Sequence, residues 1–402
     1  SLTPVDGRIR MDRDFALEWR IRPSELAQAT VFTESFGEDR YALIMLIPPD
    51  YEHSRRSRPR EVILVIDVSG SMAGDPLLQA KAALAVAIGR LTPEDSFNVI
   101  AFSSDARALF DSSMPATEAN KHSALDGLGR LRAEGGTEMA AALELALGPA
   151  SGGRLRQVVF VTDGSVNNEA DLFRLIRRKL GESRLFTVGI GPAPNRHFME
   201  KAARFGRGTH VHVARLIDVE DDMAGLLHKL ERPALTDVDI DWTGSELVEM
   251  WPERVGDLYA GEPILITARS KGDGGWVNIT GLSEHGHWLR QLAIPEGRSS
   301  TGVATLWARE KLSGLSDRML EARDPDSVRD QMVAVALEHG LVSRYTSLVA
   351  VDKTPVKPEW QESRRHAVPL VAPASGSGVR VGAFPGTSTA APALLMTFTA
   401  SS

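Results

Sequence analysis

The sequence predicts an α/β fold: a doubly wound, mostly parallel sheet inserted into a β-sandwich domain that carries two additional helices. Three observations predict it. From Glu61 to about Glu231, strand and helix patterns alternate, as they do where parallel strands are joined by crossover helices. The stretches on either side, up to position 50 and from Leu235 to Ile294, read as strands with no competing helix. Fifty residues with three strands make only half a sandwich, which must complete its core further along the chain. The expected organisation is therefore residues 1–59 as the N-terminal strands, 60–231 as the α/β domain, 232–354 as the rest of the sandwich with two helices, and 355–402 as a Pro/Ser/Gly/Ala-rich disordered tail.

Taken in order, Phe15 to Ile21, Ala29 to Phe36 and Tyr41 to Pro48 give the first strands, and His53 to Arg60 is a polar linker. Glu61 to Val68 is an almost unbroken apolar run, as expected of a central parallel strand covered on both faces. Asp75 reads as an N-cap and Pro76 as the first residue of a helix running to Leu91. Strands follow at Asp95 to Phe102 and, as a short edge, Ala106 to Asp111; helices are expected at Glu118 to Leu131 and Glu138 to Leu147. The alternation continues with strands at 157–162, 184–190 and 209–213 and helices at 169–180, 196–205 and 218–230. Arg232-Pro233 stops the last of these helices directly before the β region. There, strands are expected at 236–242, 246–251, 262–268, 275–281 and 288–294. Helices at 304–318 and 327–339, the second begun by Asp324-Pro325-Asp326, precede a last strand at Thr346 to Val351.

The 402 residues carry 46 Lys+Arg against 53 Asp+Glu, a net charge of -7, which points away from nucleic acid. There is no cysteine, so disulfides, zinc–thiolate sites and cysteine catalysis are excluded. No run approaches the roughly 18 apolar residues of a membrane span. Ser1 in place of an initiator methionine reads as a fragment or a processed form.

Chemistry gathers at the carboxyl end of the first central strand. Asp67, Ser69 and Ser71 form D-x-S-x-S, three oxygen side chains on one tight turn, in the crevice where open α/β sheets bind ligands. Magnesium wants near-octahedral oxygen coordination, so one loop supplies only half a site. Two later stretches fit the other half: Gly135-Gly136-Thr137 before a helix, and Thr162-Asp163-Gly164 at a strand end. Alone, D-x-S-x-S is weak, because most such matches are turns; three pieces in order, each at an element end, are specific.

These residues resemble the von Willebrand factor type A family, whose metal-ion-dependent adhesion site is D-x-S-x-S, then a Thr, then an Asp; Asp67, Ser69, Ser71, Thr137 and Asp163 match all five positions. The flanking strands and the stretches L-W-A-R-E-K-L and L-V-S-R-Y-T-S-L-V-A-V resemble the inter-alpha-trypsin inhibitor heavy chains and their bacterial, sortase-target-type relatives, from about Met11 to Thr354. The resemblance implies a metal-dependent adhesion or ligand-binding protein, not an enzyme, extracellular or at the cell surface. Magnesium is the implied cation, with manganese or calcium as alternatives. Ser69, Ser71 and Thr137 hold it directly, Asp67 and Asp163 directly or through water. One position is left for an Asp or Glu carboxylate of a protein or matrix ligand. The rim is expected from loops on the same edge, at Gly74, Ser165, Asn167, Asn168, Glu169 and Arg196. The other reading is an intracellular von Willebrand A scaffold partnering an ATPase or a metal-insertion complex. Phe384-Pro385-Gly386-Thr387 is at most an echo of a sortase signal, and Asp324-Pro325 reads as a helix start rather than the heavy chains' transfer site.

Competing constellations are weaker. No G-x-S-x-G elbow surrounds Ser69 or Ser71, and no G-x-x-x-x-G-K-[ST] loop is present. His210 with His212, and His285 with His287, lack an assured third ligand. Tryptophans 242, 251, 276 and 288 read as sheet packing rather than a sugar platform.

Overall fold

The structure, a computed structural model, describes residues 27–49, 59–148, 154–164, 168–191, 194–231, 235–259, 261–272, 274–283, 286–296, 300–319, 322 and 324–347. The features below lie in the unit Pro23–Tyr345. The expected strand at 15–21, most of the linker at 53–60, the joint at 232–234, the tail from 355 and all but the first two residues of the strand at 346–351 fall outside the described residues.

Strands β1 (Gln28–Phe36) and β2 (Asp39–Ile47) form a hairpin closed by Gly37 at φ +64°, and precede the α/β block. That block runs β3 (Arg60–Asp67), α1 (Asp75–Arg90), β4 (Ser96–Phe102), β5 (Ala106–Ala108), β6 (Met114–Pro115), α2 (Glu118–Arg130), α3 (Met139–Ala146), β7 (Leu155–Thr162), α4 (Glu169–Lys179), β8 (Arg184–Ile190), α5 (Arg196–Phe205), β9 (Arg207–Val213) and α6 (Val219–Glu231). Its sheet has the order β5-β4-β3-β7-β8-β9, parallel from β4 to β9, with β5 and β6 antiparallel on β4. Period-two alternation divides the apolar residues between two cores. Val62, Leu64 and Ile66 of β3 pack with α1, α2 and α6, whereas Ile63 and Val65 pack with α3, α4 and α5. All eight residues of β3 are buried. Sequence reading missed β6, which at two residues is too short to show a period. It also made the edge strand β5 too long.

One capping expectation is corrected. Asp75 is the first helical residue of α1, and Gly74 is the N-cap at φ +86°, a conformation that glycine adopts without strain.

The β region contributes β10 (Thr236–Thr243), β11 (Glu246–Trp251), β12 (Ile264–Lys271), β13 (Trp276–Ser283) and β14 (Gly286–Ala293), then α7 (Val303–Arg318) and α8 (Pro325–Glu338). β2 pairs antiparallel with β12, giving the sheet β1-β2-β12-β11; β10-β13-β14 form a second. Strands from before and after the α/β block thus share one sheet, which makes that block an insertion. Ile44, Leu46 and Ile266 meet Val238, Val277 and Ile279 between the two sheets. On the opposite face, Tyr41, Leu43 and Trp251 are covered by α7 and α8 through Trp307, Ala308 and Val335. β2 is therefore buried on both faces, which explains its continuous apolar run. Insert and host are joined by Arg184, 1% exposed, whose guanidinium pairs with the buried Asp257 and with Asp237 at 3.1 Å. Tyr259 of the host lies in the insert's core, 5.6 Å from Phe186 in an edge-to-face contact.

Candidate metal site

Asp67 ends β3 with its side chain fully buried. Ser69 N–H donates to Asp67 Oδ1 at 2.8 Å, which curls the chain as it leaves the sheet and brings the Ser69 and Ser71 hydroxyls to 3.1 Å from each other. The Thr162 hydroxyl donates to Asp67 Oδ2 at 2.6 Å and accepts Gly164 N–H at 3.0 Å. Burial raises the Asp67 pKa above its usual 3.8; the Ser69 and Thr162 hydrogen bonds oppose this, and the neighbouring Asp163 charge adds to it.

Backbone bonds draw the other two stretches to the same edge. Gly70 N–H donates to Gly135 O at 3.1 Å and Glu134 N–H to Val68 O at 2.8 Å. Gly135 lies at φ +82°, and a Cβ there would come within 2.8 Å of Ser104 Oγ, the atom that accepts Gly136 N–H at 2.8 Å. This turn sets Thr137, half-buried, immediately before Glu138, the N-cap of α3. Asp163, also half-buried, follows β7, and its carbonyl accepts Asn195 N–H at 3.3 Å. Gly164 sits at φ +75° with Asn195 N only 2.9 Å from where a Cβ would stand, so glycine is needed for that approach.

Of the expected rim, Gly74 and Asn168 are exposed, and Asn168 caps α4 while donating to Asp171. Glu169 Oε1 accepts from Asn195 Nδ2 at 2.7 Å, tying the start of α4 to that of α5. Arg196 pairs along its own helix with Glu200 at 2.6 Å. Ser165 and Asn167 lie outside the described residues. Sequence reasoning named Thr162 only as part of the stretch around Asp163, without a role, and it missed Ser104. Thr162 closes its strand one step beyond Val161, whose register with Ile66 sets it beside Asp67, a neighbour that the order of the strands decides and the local sequence does not show. Nothing in the sequence singles out Ser104.

Among the described residues no group of three or more His, Cys, Asp or Glu is placed to hold a metal, so a cation at this edge depends on hydroxyl oxygens. Serine and threonine hydroxyls with two carboxylates form an oxygen-only donor set, which suits a hard cation that keeps waters. His210 Nδ1 lies 3.1 Å from Thr187 Oγ1, and His212 Nε2 lies 2.7 Å from Gly191 O; both are bound within the fold. His285 is outside the described residues. Trp251 is buried in the core under α7 and α8, Trp242 and Trp288 are partly buried against the core between the two host sheets, and Trp276 is 48% exposed.

A model of the von Willebrand factor type A domain matches residues 60–212. A von Willebrand factor A domain-containing protein of Dictyostelium discoideum is 26% identical over 333 residues, covering 79% of this chain and 36% of that protein. Mouse von Willebrand factor A domain-containing protein 5B1 is 32% identical over 276 residues, 66% of this chain and 23% of its own length. Human inter-alpha-trypsin inhibitor heavy chain H6 is 28% identical over 379 residues, 84% and 28% respectively. The chain thus spans between 23% and 36% of the length of these three proteins. Among solved structures, a von Willebrand factor type A protein from Catenulispora acidiphila has a TM-score of 0.56 at 19% identity, covering 79% of this chain and 88% of that one, a likeness of fold.

Proposed function

We propose that this chain, a von Willebrand factor type A protein of the inter-alpha-trypsin inhibitor heavy chain-like family, binds a carboxylate-bearing protein or matrix ligand through a metal-ion-dependent adhesion site, outside the cell or at its surface. Domains of this type mediate protein–protein interaction. Among the described residues no helix is long and apolar enough to cross a membrane.

One observation carries the reading. The three loops bearing Asp67, Ser69, Ser71, Thr137 and Asp163 are tied by cross-loop hydrogen bonds at one edge of the sheet, with the Ser69 and Ser71 hydroxyls 3.1 Å apart. Both Asp67 oxygens already accept protein donors. That leaves Ser69, Ser71 and Thr137 to hold magnesium, with Asp67 and Asp163 orienting them or the bound waters. When bound, the cation would offer an electrophilic position to an incoming Asp or Glu. The chain's own work is positioning: Asp67 fixes the serine turn and Ser104 braces the turn before Thr137. This is binding chemistry, and no group is assigned to catalysis.

Calorimetric titration of the 402-residue chain with magnesium tests it. Saturable binding is expected in the wild type and is lost in the double variant Ser69→Ala, Ser71→Ala, whose circular dichroism should be unchanged because both changes sit on a turn. Equal binding by the two proteins would overturn the assignment.

A further inference from the structure

An open cavity of about 400 Å³ lies beside the metal loops, between β4 and β5 on one side and the C-terminal end of α2 on the other. Its size is that of a small-ligand or side-chain pocket. The lining is apolar within, from Val99, Ala101, Leu109, Leu128 and Leu131. Arg107, Arg130 and Arg132 stand around it with Asp105 and Glu134.

Several features keep it open and apolar. A Cβ at Gly127 would stand 2.9 Å from Leu109 Cδ1, so α2 rests directly on that leucine. The carbonyls that end α2 are already used: Lys81 Nζ donates to Gly129 O at 3.1 Å and to Leu131 O at 2.8 Å. Leu109 is 41% exposed. Asp105 is taken by Arg107 at 2.6 Å, whereas the exposed Arg130 has no hydrogen bond or ion pair among the described residues. With Asp105 offset by Arg107, Arg130 and Arg132 outnumber Glu134, so the mouth carries a small excess of positive charge on a chain whose net charge is -7.

The cavity and the metal loops share a wall. Val68 stands between Asp67 and Ser69 in the chain and lines the cavity, donating to Phe102 O at 2.8 Å. Glu134, also lining it, donates to Val68 O and precedes Thr137 by three residues. An extended segment advances about 3.3 Å per residue, so a ligand chain that runs from Ser69, Ser71 and Thr137 toward this shared wall reaches the cavity within a few residues.

We propose that this cavity is a second recognition subsite of the same binding face. It takes a leucine- or phenylalanine-sized side chain from an acidic segment of the protein ligand, close to the carboxylate that reaches the metal loops. The proposal rests on the metal-dependent reading above. The metal supplies a position for one carboxylate and says nothing of its neighbours; the cavity selects among acidic segments by the apolar residue beside the acid.

Two blocked peptides test it against the 402-residue chain by ligand-observed NMR with magnesium: acetyl-Leu-Gly-Asp-Gly-Leu-amide and acetyl-Gly-Gly-Asp-Gly-Gly-amide. Leucine on both sides makes the probe independent of chain direction. Burial of one leucine predicts about tenfold tighter binding of the first peptide. Ala101→Phe, which fills the cavity, should erase that difference; Leu109→Ser and Arg130→Glu, at exposed positions, should reduce it if the Phe variant fails to fold. Equal affinity of the two peptides, no binding by either, or a preference that survives all three variants overturns the subsite. The fate of the metal reading is separate. It falls if the glycine peptide binds equally with and without magnesium, and it stands, with the subsite rejected, if both peptides bind alike and only with magnesium.

Discussion

The hydroxyl of Thr162 donates to the buried carboxylate of Asp67 at 2.6 Å, from one parallel strand to its neighbour. Together with the Ser69 N–H on the other oxygen, it fixes the side chain from which the serine turn hangs. Thr162→Val keeps the shape and removes the donor. It should leave an unsatisfied buried oxygen, costing about 1–3 kcal/mol of stability. Losing a group that orients a ligand set should also weaken magnesium binding by roughly 10- to 100-fold. Thr162→Ser should restore most of both. If titration shows the valine variant binding magnesium as tightly as the wild type, Thr162 does no more than pack.

At the opposite end of the same strand, Glu61 is fully buried within what reads as an apolar run. Arg156 grips it with two bonds, Nε to Oε2 at 2.9 Å and Nη2 to Oε1 at 3.0 Å, and Ser113 Oγ adds a third at 2.6 Å. Removing one partner strands a buried charge. Glu61→Ala should therefore cost about 3–5 kcal/mol in urea unfolding. Glu61→Met combined with Arg156→Met should cost less than the sum of the single changes. Additive effects would mean that the two groups do not depend on each other.

Local pattern made the α/β block legible. The apolar runs of β3, β7 and β8, and caps such as Asp324, which accepts Ser327 N–H at 3.2 Å, report themselves within a few residues. The D-x-S-x-S turn was visible for the same reason, because its donors are consecutive. Pairings between distant positions were not visible. Glu61 with Arg156, Arg184 with Asp257 and Asp67 with Thr162 are set by strand order, and strand order is a property of the whole fold. Gly74 was passed over as a cap because a positive φ leaves no mark in the sequence beyond the glycine itself.

Gly314 sits inside α7, where alanine would ordinarily stabilise a helix by about 1 kcal/mol. Here a Cβ would stand 1.9 Å from Trp251 Cζ3. Gly314→Ala should therefore destabilise by about 1–3 kcal/mol, since either the tryptophan or the helix must move. The same helix carries Asp317, which holds Lys201 at 2.8 Å and Arg204 at 2.6 Å on α5, so a shift of α7 also strains the junction between host and insert. Chemical denaturation gives the sign. An alanine variant as stable as the wild type would show that this contact relaxes freely.

His339, directly after α8, has a side chain only 1% exposed, enclosed by aromatic rings. Phe36 stacks on it at 5.1 Å, Tyr41 meets it edge-on at 5.5 Å, and Trp307 lies at 5.6 Å. Burial holds its pKa below the usual 6.5; Glu338 and Glu34 pull it upward, while Arg269 and Lys311 push it down. The unfolded chain therefore takes up its proton at a higher pH than the folded chain does. Stability from the neutral ring is complete above about pH 6.5 and is lost as the pH falls through the lower folded value. His210, half-buried on β9 with its pKa also lowered by burial, adds a loss of the same sign, so the wild-type curve alone does not separate the two. His339→Phe keeps an aromatic ring in the cage and removes the titration. Urea unfolding between about pH 5 and pH 8 should show a shallower acid loss in that variant than in the wild type. Parallel curves would mean that His339 takes up its proton alike in the folded and unfolded chains, and that the aromatic cage exerts no hold on its charge.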